Sequence, residues 1–138
     1  MKILLSALAV ITLFSGQIAV AQDVDAGKKV FKKCKACHKV GENAKNGVGP
    51  DLNDIVGRVV GSAEGYKYSK TFKAANAAGL VWDEASIADY IANPNDYMKA
   101  ALDDPKAKTK MSFKMKKEQQ RKDVAAYVAS FSAAPAAD

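Results

Sequence analysis

The sequence predicts an all-α fold in which several helices are joined by long loops. In separate stretches of the 138-residue chain, apolar residues recur at spacings of three and four, as they do on one face of a helix. No stretch shows the apolar–polar alternation of a half-buried strand. Glycine and proline separate the periodic stretches, which favours short helices with irregular connections.

The chain begins with a segment that is typical of an export signal. Lys2 precedes an apolar stretch over residues 3–14, and residues 19–21 read Ala-Val-Ala, the small-residue pattern of a cleavage site. A retained membrane anchor is the alternative, but the apolar stretch is shorter than the roughly 20 residues that a span needs. No other stretch could span a membrane. We expect residues 1–21 to be a signal peptide that is cleaved before Gln22, which would place the mature protein in the periplasm.

The rest of the chain is expected to form one small domain. Residues 22–131 contain no repeat, and their length suits a single domain. Residues 132–138 read Ser-Ala-Ala-Pro-Ala-Ala-Asp and predict a flexible tail. The formal net charge of the full chain is +6, so we expect a basic surface.

Two predicted helices lie near the ends of this domain. Asp23 or Asp25 can cap the first, whose apolar face runs on at steps of three and four into residues 34–38. The last helix is expected over about residues 117–131. Its apolar stripe consists of Val124, Tyr127, Val128 and Phe131.

Three shorter helices are predicted between them. The first covers residues 69–78 and is stopped by Gly79. The second is capped by Asp83 and ends before Pro94, and the third begins at Asn93-Pro94 because proline suits the first helical position. Residues 39–53 contain three glycines and a proline, which predict an irregular loop.

The most informative residues are Cys34-Lys35-Ala36-Cys37-His38, which include both cysteines and the only histidine of the chain. A C-x-x-C-H sequence is the attachment signature of c-type haem. The two thiols can add to the haem vinyl groups as thioethers, and the imidazole can ligate the iron from the proximal side. We therefore predict one covalently attached haem c per chain, bound through Cys34 and Cys37, with His38 as the proximal axial ligand.

The second axial ligand has several candidates. A single histidine excludes bis-histidine ligation, so the candidates are Met98, Met111, Met115, a lysine or an open position. Met111 lies in the polar segment 108–113, which has no helical periodicity and gives a methionine little reason to pack there. Met98 lies in a predicted helix, where a core role is favoured. Met115 is not excluded by the pattern, but we favour Met111.

The order of these and further motifs resembles that of bacterial class I c-type cytochromes, close to the cytochrome c2 and cytochrome c550 group. The resemblance covers nearly all of the chain after residue 21, and it implies the class I cytochrome c fold around one haem. Besides residues 34–38, the similar segments are 49–52, 56–58, 65–68, 79–82, 90–94 and 108–113.

The resemblance also implies roles for further residues near the haem. The carbonyl of Pro50 would accept the other imidazole N–H of His38, and Tyr90 would reach the sulfur of Met111. The side chains expected to hydrogen-bond the haem propionates are Arg58, Tyr68 and Trp82. An ordinary aromatic core is the alternative for Tyr68, Trp82 and Tyr90.

The same resemblance predicts where the first and last helices cross, namely at Gly27, Phe31 and Tyr127. Two segments depart from the family pattern. Residues 98–110 are longer than the equivalent segment of short mitochondrial-type cytochromes, as in the longer bacterial variants. The loop between Tyr68 and Trp82 also differs in length, and Asn76 is the nearest candidate there for a commonly present internal asparagine.

Lysines form two acid-free groups around the proposed axial ligands. The first consists of Lys28, Lys29, Lys32, Lys33, Lys35 and Lys39, and the second of Lys106, Lys108, Lys110, Lys114, Lys116 and Lys117. We expect both groups to meet at the rim of the haem crevice and to dock acidic redox partners. The proposed docking lysines are Lys33, Lys35, Lys39, Lys108, Lys110 and Lys114. The alternative is a generally basic, solvated surface. Nucleic acid is a poor candidate partner for an exported protein, and we expect no aromatic side chains that stack on bases among these lysines.

These expectations together favour a monomeric electron carrier over an enzyme. If His38 and Met111 both bind the iron, no position is open for oxygen, peroxide or substrate, and electrons would pass by outer-sphere transfer through the exposed haem edge. The resemblance implies a cytochrome bc1 complex as donor and a photosynthetic reaction centre or terminal oxidase (cytochrome c oxidase) as acceptor. Three other classes stay open: a gas-binding cytochrome c′, a haem peroxidase, and a thiol–disulfide oxidoreductase that uses the two cysteines.

Overall fold

The computed structural model describes residues 21–133, and within them five α-helices follow one another along the chain. They are α1 (Val24–Phe31), α2 (Lys70–Ala77), α3 (Glu84–Tyr90), α4 (Pro94–Leu102) and α5 (Glu118–Ala129). The only extended pairing in this part of the chain is an isolated antiparallel bridge between Val59 and Val81. The predicted all-α class is therefore confirmed. The proposed signal peptide (apart from Ala21) and most of the proposed tail lie outside the described residues.

Polar side chains begin four of the helices where the sequence predicts them. Asp23, rather than Asp25, caps α1 by accepting a hydrogen bond of 2.9 Å from the backbone N–H of Ala26. Ser69, Asp83 and Asn93 occupy the corresponding positions of α2, α3 and α4. Each side-chain oxygen satisfies a backbone N–H that has no partner inside its helix.

The first helix is shorter than predicted. It ends at Phe31, and residues 32–37 form consecutive turns, so the expectation that the cysteines lie on this helix is wrong. The reason is a change in backbone hydrogen bonding, because the Cys34 N–H donates to the Phe31 carbonyl, three residues back, at 2.8 Å. Turns with this spacing keep nearly the same side-chain period as a helix, which explains why the apolar pattern continues past the helix end.

The core is organised around the predicted crossing of α1 and α5. Gly27 permits it, because a Cβ atom at this position would lie 2.0 Å from the carbonyl oxygen of Asp123 on α5. One turn further on, the rings of Phe31 and Tyr127 pack with centroids 5.3 Å apart. Helix α3 also packs on α5. No helix in the described part of the chain is long and apolar enough to cross a membrane.

Candidate haem site

A cavity of about 420 Å³ opens between these helices and the loops that join them. Its walls bring together Cys34, Cys37 and His38 with Met111, which is distant in sequence. The other lining residues are mostly apolar or aromatic, among them Phe31, Leu52, Ile55, Phe72, Ile87, Ile91, Val124 and Val128. A cavity of this size with apolar walls and a few polar groups is typical of a cofactor site.

The His38 imidazole is held in a fixed orientation. Its Nδ1 lies 2.7 Å from the carbonyl oxygen of Pro50, an acceptor, so Nδ1 carries the proton of the neutral ring and donates it. Burial lowers the pKa of His38, the hydrogen bond to Pro50 opposes this shift, and the positive charge of Arg58 adds to it. The neutral imidazole is therefore favoured, and the lone pair of Nε2 is available to a metal.

Gly49 allows the backbone to pack against this ring. A Cβ atom at Gly49 would lie 2.3 Å from Cε1 of His38 and 2.8 Å from its Nε2. The sequence indicated only that this glycine belongs to a loop and to a family motif, so its contact with the imidazole was missed. Three glycines lie within nine residues in this loop, and no local signal distinguishes the one that contacts His38.

Both cysteines are half-buried in the cavity wall, and they are not joined in a disulfide. Burial raises the pKa of Cys34 to about 11, the neighbouring Cys37 adds to the shift, and Lys33 opposes it. Before haem is attached, burial therefore favours the neutral thiol of Cys34 over its thiolate. This contrasts with the low-pKa thiolate that a thiol–disulfide oxidoreductase uses.

The structure separates the three candidate methionines. Met111 lines the cavity, whereas neither Met98 nor Met115 is among its lining residues. Met98 has no exposed surface and Met115 is 4 % exposed, so both are core residues. The preference for Met111 therefore gains support from its position, and the expected core role of Met98 is confirmed.

Arg58, Tyr68, Trp82 and Tyr90 all line the same cavity. The Arg58 guanidinium donates to the carbonyl oxygen of Asp51 at 3.0 Å and to that of Asn53 at 3.2 Å, while the Tyr68 hydroxyl accepts from the Ala63 N–H at 3.2 Å. Burial raises the pKa of Tyr68, although the hydrogen bond from Ala63 opposes this.

Tyr90 is buried in the cavity wall. Burial raises the pKa of its phenol, and the side chain of Thr109 opposes that shift. Among the described residues, no hydrogen bond joins Tyr90 to the sulfur of Met111. The predicted contact between the Tyr90 hydroxyl and the sulfur thus stays a prediction.

Phe72 is a further wall residue that the sequence did not single out. Its ring stacks on Tyr68 with centroids 5.5 Å apart, and it meets Tyr90 edge-on at 6.0 Å. Trp82 in turn packs edge-on against Tyr90 at 5.1 Å. Helix α2 carries only one phenylalanine among small and polar residues, so its sequence gives no apolar stripe to mark Phe72.

All six proposed docking lysines are exposed. In the described part of the chain the ion pairs are Lys99–Asp96 and Lys122–Glu118, so none of the six is in an ion pair. Lys110 is the only one of the six that lines the cavity. Its ammonium donates to the Lys67 carbonyl oxygen and lies 5.5 Å from the centre of the Tyr66 ring.

These residues fit a covalently attached haem. The cavity presents two thiols, a neutral imidazole with an available nitrogen, and a thioether, within mostly apolar walls. The family model for cytochrome c matches residues 24–132. The chain belongs to the cytochrome c family.

Relatives and solved structures agree with this assignment. Cytochrome c2 of Rhodopseudomonas palustris is 45% identical over 115 residues, covering 79% of this chain and 98% of the relative. Cytochrome c-554 of Methylosinus trichosporium is 45% identical over 130 residues, covering 94% of this chain and 90% of the relative. The structure of cytochrome c2 from Rhodospirillum centenum superimposes with a TM-score of 0.75 at 44% identity, covering 80% of this chain and 99% of the other.

The fold is therefore that of class I cytochromes c, as expected. Membership of this family also establishes the cofactor, one covalently attached haem c, and the general activity, electron transfer. Both agree with what the C-x-x-C-H sequence predicts.

Proposed function

We propose that this cytochrome is a monomeric periplasmic carrier that moves single electrons from a cytochrome bc1 complex to a photosynthetic reaction centre or a terminal oxidase. The observation that carries the proposal is the cavity in which His38, oriented by Pro50, shares the walls with Met111. Such a pair would occupy both axial positions of an iron, which suits electron transfer and excludes substrate binding at the metal.

Each of these residues has a separate part in holding the cofactor. Cys34 and Cys37 would attach the haem through thioethers, His38 would ligate the iron through Nε2, and Met111 would supply the second ligand through its sulfur. When bound, haem c supplies an iron that gains or loses one electron. The Pro50 carbonyl keeps the imidazole oriented and raises its basicity.

The surroundings of the ligands would favour the ferrous state. The apolar walls keep water away, and a thioether ligand stabilises the lower charge of ferrous iron, so both raise the reduction potential. Arg58, Tyr68 and Trp82 would hydrogen-bond the propionates, whose negative charges need partners at a partly buried site.

Electrons would enter and leave by outer-sphere transfer at the solvent-exposed side of the cavity. Val48 is 75% exposed and Phe113 is 36% exposed, and both line the cavity, so the cavity reaches the surface at these residues. Because both axial positions would be filled, we propose that the protein performs no enzymatic turnover.

A spectrum of the oxidised protein tests the axial ligands. We expect the wild type to show the weak near-infrared band of ferric iron–thioether ligation. Met111→Ala should abolish this band because it removes the sulfur. Met115→Leu conserves volume in the core and should retain the band. A band that survives Met111→Ala but disappears in Met115→Leu would assign the ligand to Met115 instead.

Haem staining after denaturing electrophoresis tests the attachment. The colour should stay with the unfolded wild-type chain and disappear in a Cys34→Ser/Cys37→Ser double variant, because only thioethers survive unfolding. Loss of colour from the wild type would contradict covalent attachment through these cysteines.

The six docking lysines predict a salt-dependent association with acidic partners. Their uncompensated charges can steer encounter, with rates rising toward 10⁸–10⁹ per molar per second at low salt. Lys33→Gln and Lys108→Gln should each slow transfer to an acidic partner at low ionic strength. The matched control is Lys99→Gln, since Lys99 lies in an ion pair with Asp96 outside the proposed docking set. Transfer rates that do not depend on salt would contradict the docking face.

The periplasmic location depends on the proposed signal peptide over residues 1–21. Expression of the full chain in a bacterium with a periplasm should yield a protein of the periplasmic fraction that starts at Gln22. The measurement is its intact mass. A mature protein that retains residues 1–21 would contradict export by cleavage.

A further inference from the structure

The segment that carries Met111 has no helix of its own. Between Leu102, at the end of α4, and Glu118, at the start of α5, the chain forms only turns and irregular backbone. Hydrogen bonds within a helix therefore do not fix the position of Met111. Its backbone must be held by groups from other elements.

Asn95 is the residue that reaches this segment most directly. It lies in the first turn of α4, and its Oδ1 accepts a hydrogen bond of 2.8 Å from the Thr109 N–H. The same oxygen lies 3.1 Å from Oγ1 of Thr109, and that hydroxyl lies 2.9 Å from the carbonyl oxygen of Met111. A hydroxyl has one proton and donates to one of these acceptors at a time, whereas the N–H bond to Asn95 is independent of that choice.

The side chain of Asn95 is not needed to begin its helix. Asn93 fills that role, because its side chain accepts from the Asp96 N–H, and Pro94 occupies the first helical position. Asn95 is also half-buried rather than solvated. Its side chain thus contacts Thr109 in the segment that carries Met111 (residues 103–117, the methionine segment), and it does not cap α4.

One further helix holds the same point. Thr71 on α2 accepts a hydrogen bond of 3.1 Å from the Lys108 N–H. Side chains from α2 and α4 therefore converge on residues 108–109, immediately before Met111. Of the two side chains, that of Asn95 is the one that bonds Thr109, whose hydroxyl reaches the Met111 carbonyl oxygen.

We propose that Asn95 is a positioning residue for the Met111 sulfur. Acting through Thr109, it holds residues 109–111 where the thioether faces the cavity, and it thereby sets how firmly Met111 competes for the iron. This inference rests on the proposed ligation by Met111. It adds a residue of α4 to those that position the proposed second axial ligand.

The test compares two substitutions of Asn95 in the haem-loaded protein. Asn95→Leu has a similar size but removes the acceptor, whereas Asn95→Asp keeps an oxygen in the place of Oδ1. Imidazole in solution competes with a protein ligand for ferric iron, so its dissociation constant reports how firmly Met111 is held. We expect Asn95→Leu to lower this constant about tenfold, ~1.4 kcal/mol, and to weaken the near-infrared band. Asn95→Asp should stay close to the wild type.

Two other variants separate positioning from general stability. Asn93→Ala removes the cap of the same helix without touching the segment, and it should leave both readouts unchanged. Thr109→Val keeps the backbone N–H but removes the hydroxyl, so it should lower the imidazole constant less than Asn95→Leu does. If Asn95→Leu fails to accumulate with haem, Asn95→Ala, which removes the same acceptor without adding a large apolar side chain, carries the test.

The outcomes are distinguishable. A wild-type protein without the near-infrared band would overturn the Met111 ligation and this inference with it. A wild-type protein that has the band, together with Asn95→Leu and Thr109→Val variants of unchanged imidazole affinity, would overturn the positioning role and leave the ligation intact. An equal effect of Asn93→Ala would also overturn it, because the effect would then come from α4 stability.

Discussion

The histidine side and the methionine side of the cavity are held in different ways. On the histidine side, Cys34 and Cys37 lie in consecutive turns that continue directly from α1, and the His38 N–H donates to the Cys34 carbonyl oxygen at 2.9 Å. Pro50, only 12 residues further along the chain, then fixes the imidazole. On the methionine side, Met111 lies in a long segment without a helix, and side chains from two other helices, α2 and α4, hold the residues before it.

This difference separates a locally encoded site from one that depends on the tertiary fold. The histidine side needs short-range contacts, which form whenever its own loop folds. The methionine side needs α2 and α4 in place before its segment is fixed. We therefore expect the methionine side to open first under stress, since its anchors are few and partly exposed.

The largest expected effect comes from crowding the histidine side. Gly49→Ala would place a methyl group 2.3 Å from Cε1 of His38, and the ring cannot move without losing its hydrogen bond to Pro50. We expect a loss of about 3 kcal/mol in the free energy of unfolding. Denaturant unfolding followed by haem absorbance measures it.

Gly47→Ala is the matched control in the same loop. A Cβ atom at Gly47 would make only an ordinary contact, 3.5 Å from the Cys37 carbonyl oxygen. Its effect on stability should stay within about 1 kcal/mol in either direction, the usual range for a glycine-to-alanine change that creates no clash. Equal losses for the two variants would show that the imidazole contact is not what makes Gly49 critical.

A smaller loss of stability is expected from removing the hydrogen bonds that hold the methionine segment where it meets α5. Arg121 on α5 donates to the carbonyl oxygens of Lys116 at 2.9 Å and of Met115 at 3.2 Å. Arg121→Leu should cost about 2 kcal/mol, because the bonds come from a charged donor. It should also weaken the near-infrared band while the haem stays attached.

Lys122→Leu provides the comparison for Arg121. Lys122 is the next residue of α5 after Arg121, and it makes an exposed ion pair with Glu118. Such pairs contribute about 0–1 kcal/mol to stability. The two variants are compared by denaturant unfolding and by near-infrared spectra. An Arg121→Leu protein as stable as the Lys122→Leu protein would remove Arg121 from the anchors of the segment.

The smallest effect on stability is expected at the N-cap of α3, a helix that lies between His38 and Met111 in the sequence. The Ser86 N–H donates to the Asp83 carboxylate at 2.6 Å, and together with the Ser86 side chain it lowers the pKa of Asp83 below its ordinary value. A carboxyl with a depressed folded-state pKa adds stability above its ordinary pKa, and that contribution is lost as the pH falls through the folded-state value. Asp83→Ala should therefore cost about 1 kcal/mol at pH 7 and less near pH 3.

Thermal or denaturant unfolding at the two pH values checks this prediction. Asp83→Asn also lacks the titrating carboxyl, so its cost relative to the wild type should fall between pH 7 and pH 3 by about the same amount, but it keeps an acceptor for the Ser86 N–H and should cost less than Asp83→Ala at both values. A cost of Asp83→Ala that is the same at both pH values would contradict a contribution from the ionised carboxylate.

The features that the sequence predicted are those encoded by neighbouring residues. The cap at Asp83, the Asn93-Pro94 helix start and the C-x-x-C-H motif each occupy a few consecutive positions, and each is present as expected. Steric and hydrogen-bonding rules act within such short spans. A single sequence is therefore enough to predict them.

The missed features depend on residues that are far apart in the chain. The contact of Asn95 with Thr109 spans 14 positions across a segment of irregular backbone. The role of Gly49 depends on where the His38 ring lies, and the end of α1 at Phe31 depends on a change of hydrogen bonding that leaves the side-chain period intact. Periodicity reports which residues are buried, but not which partners they meet.

The close approach of Gly27 to Asp123 joins the beginning of the domain to its end. During synthesis on the ribosome α1 emerges first, and the face that packs on α5 therefore stays uncovered until α5 has also emerged. Contacts of such long sequence separation slow folding and keep apolar surface accessible during biogenesis. A chain truncated before α5 should consequently be a target for chaperones and proteases rather than a smaller stable protein.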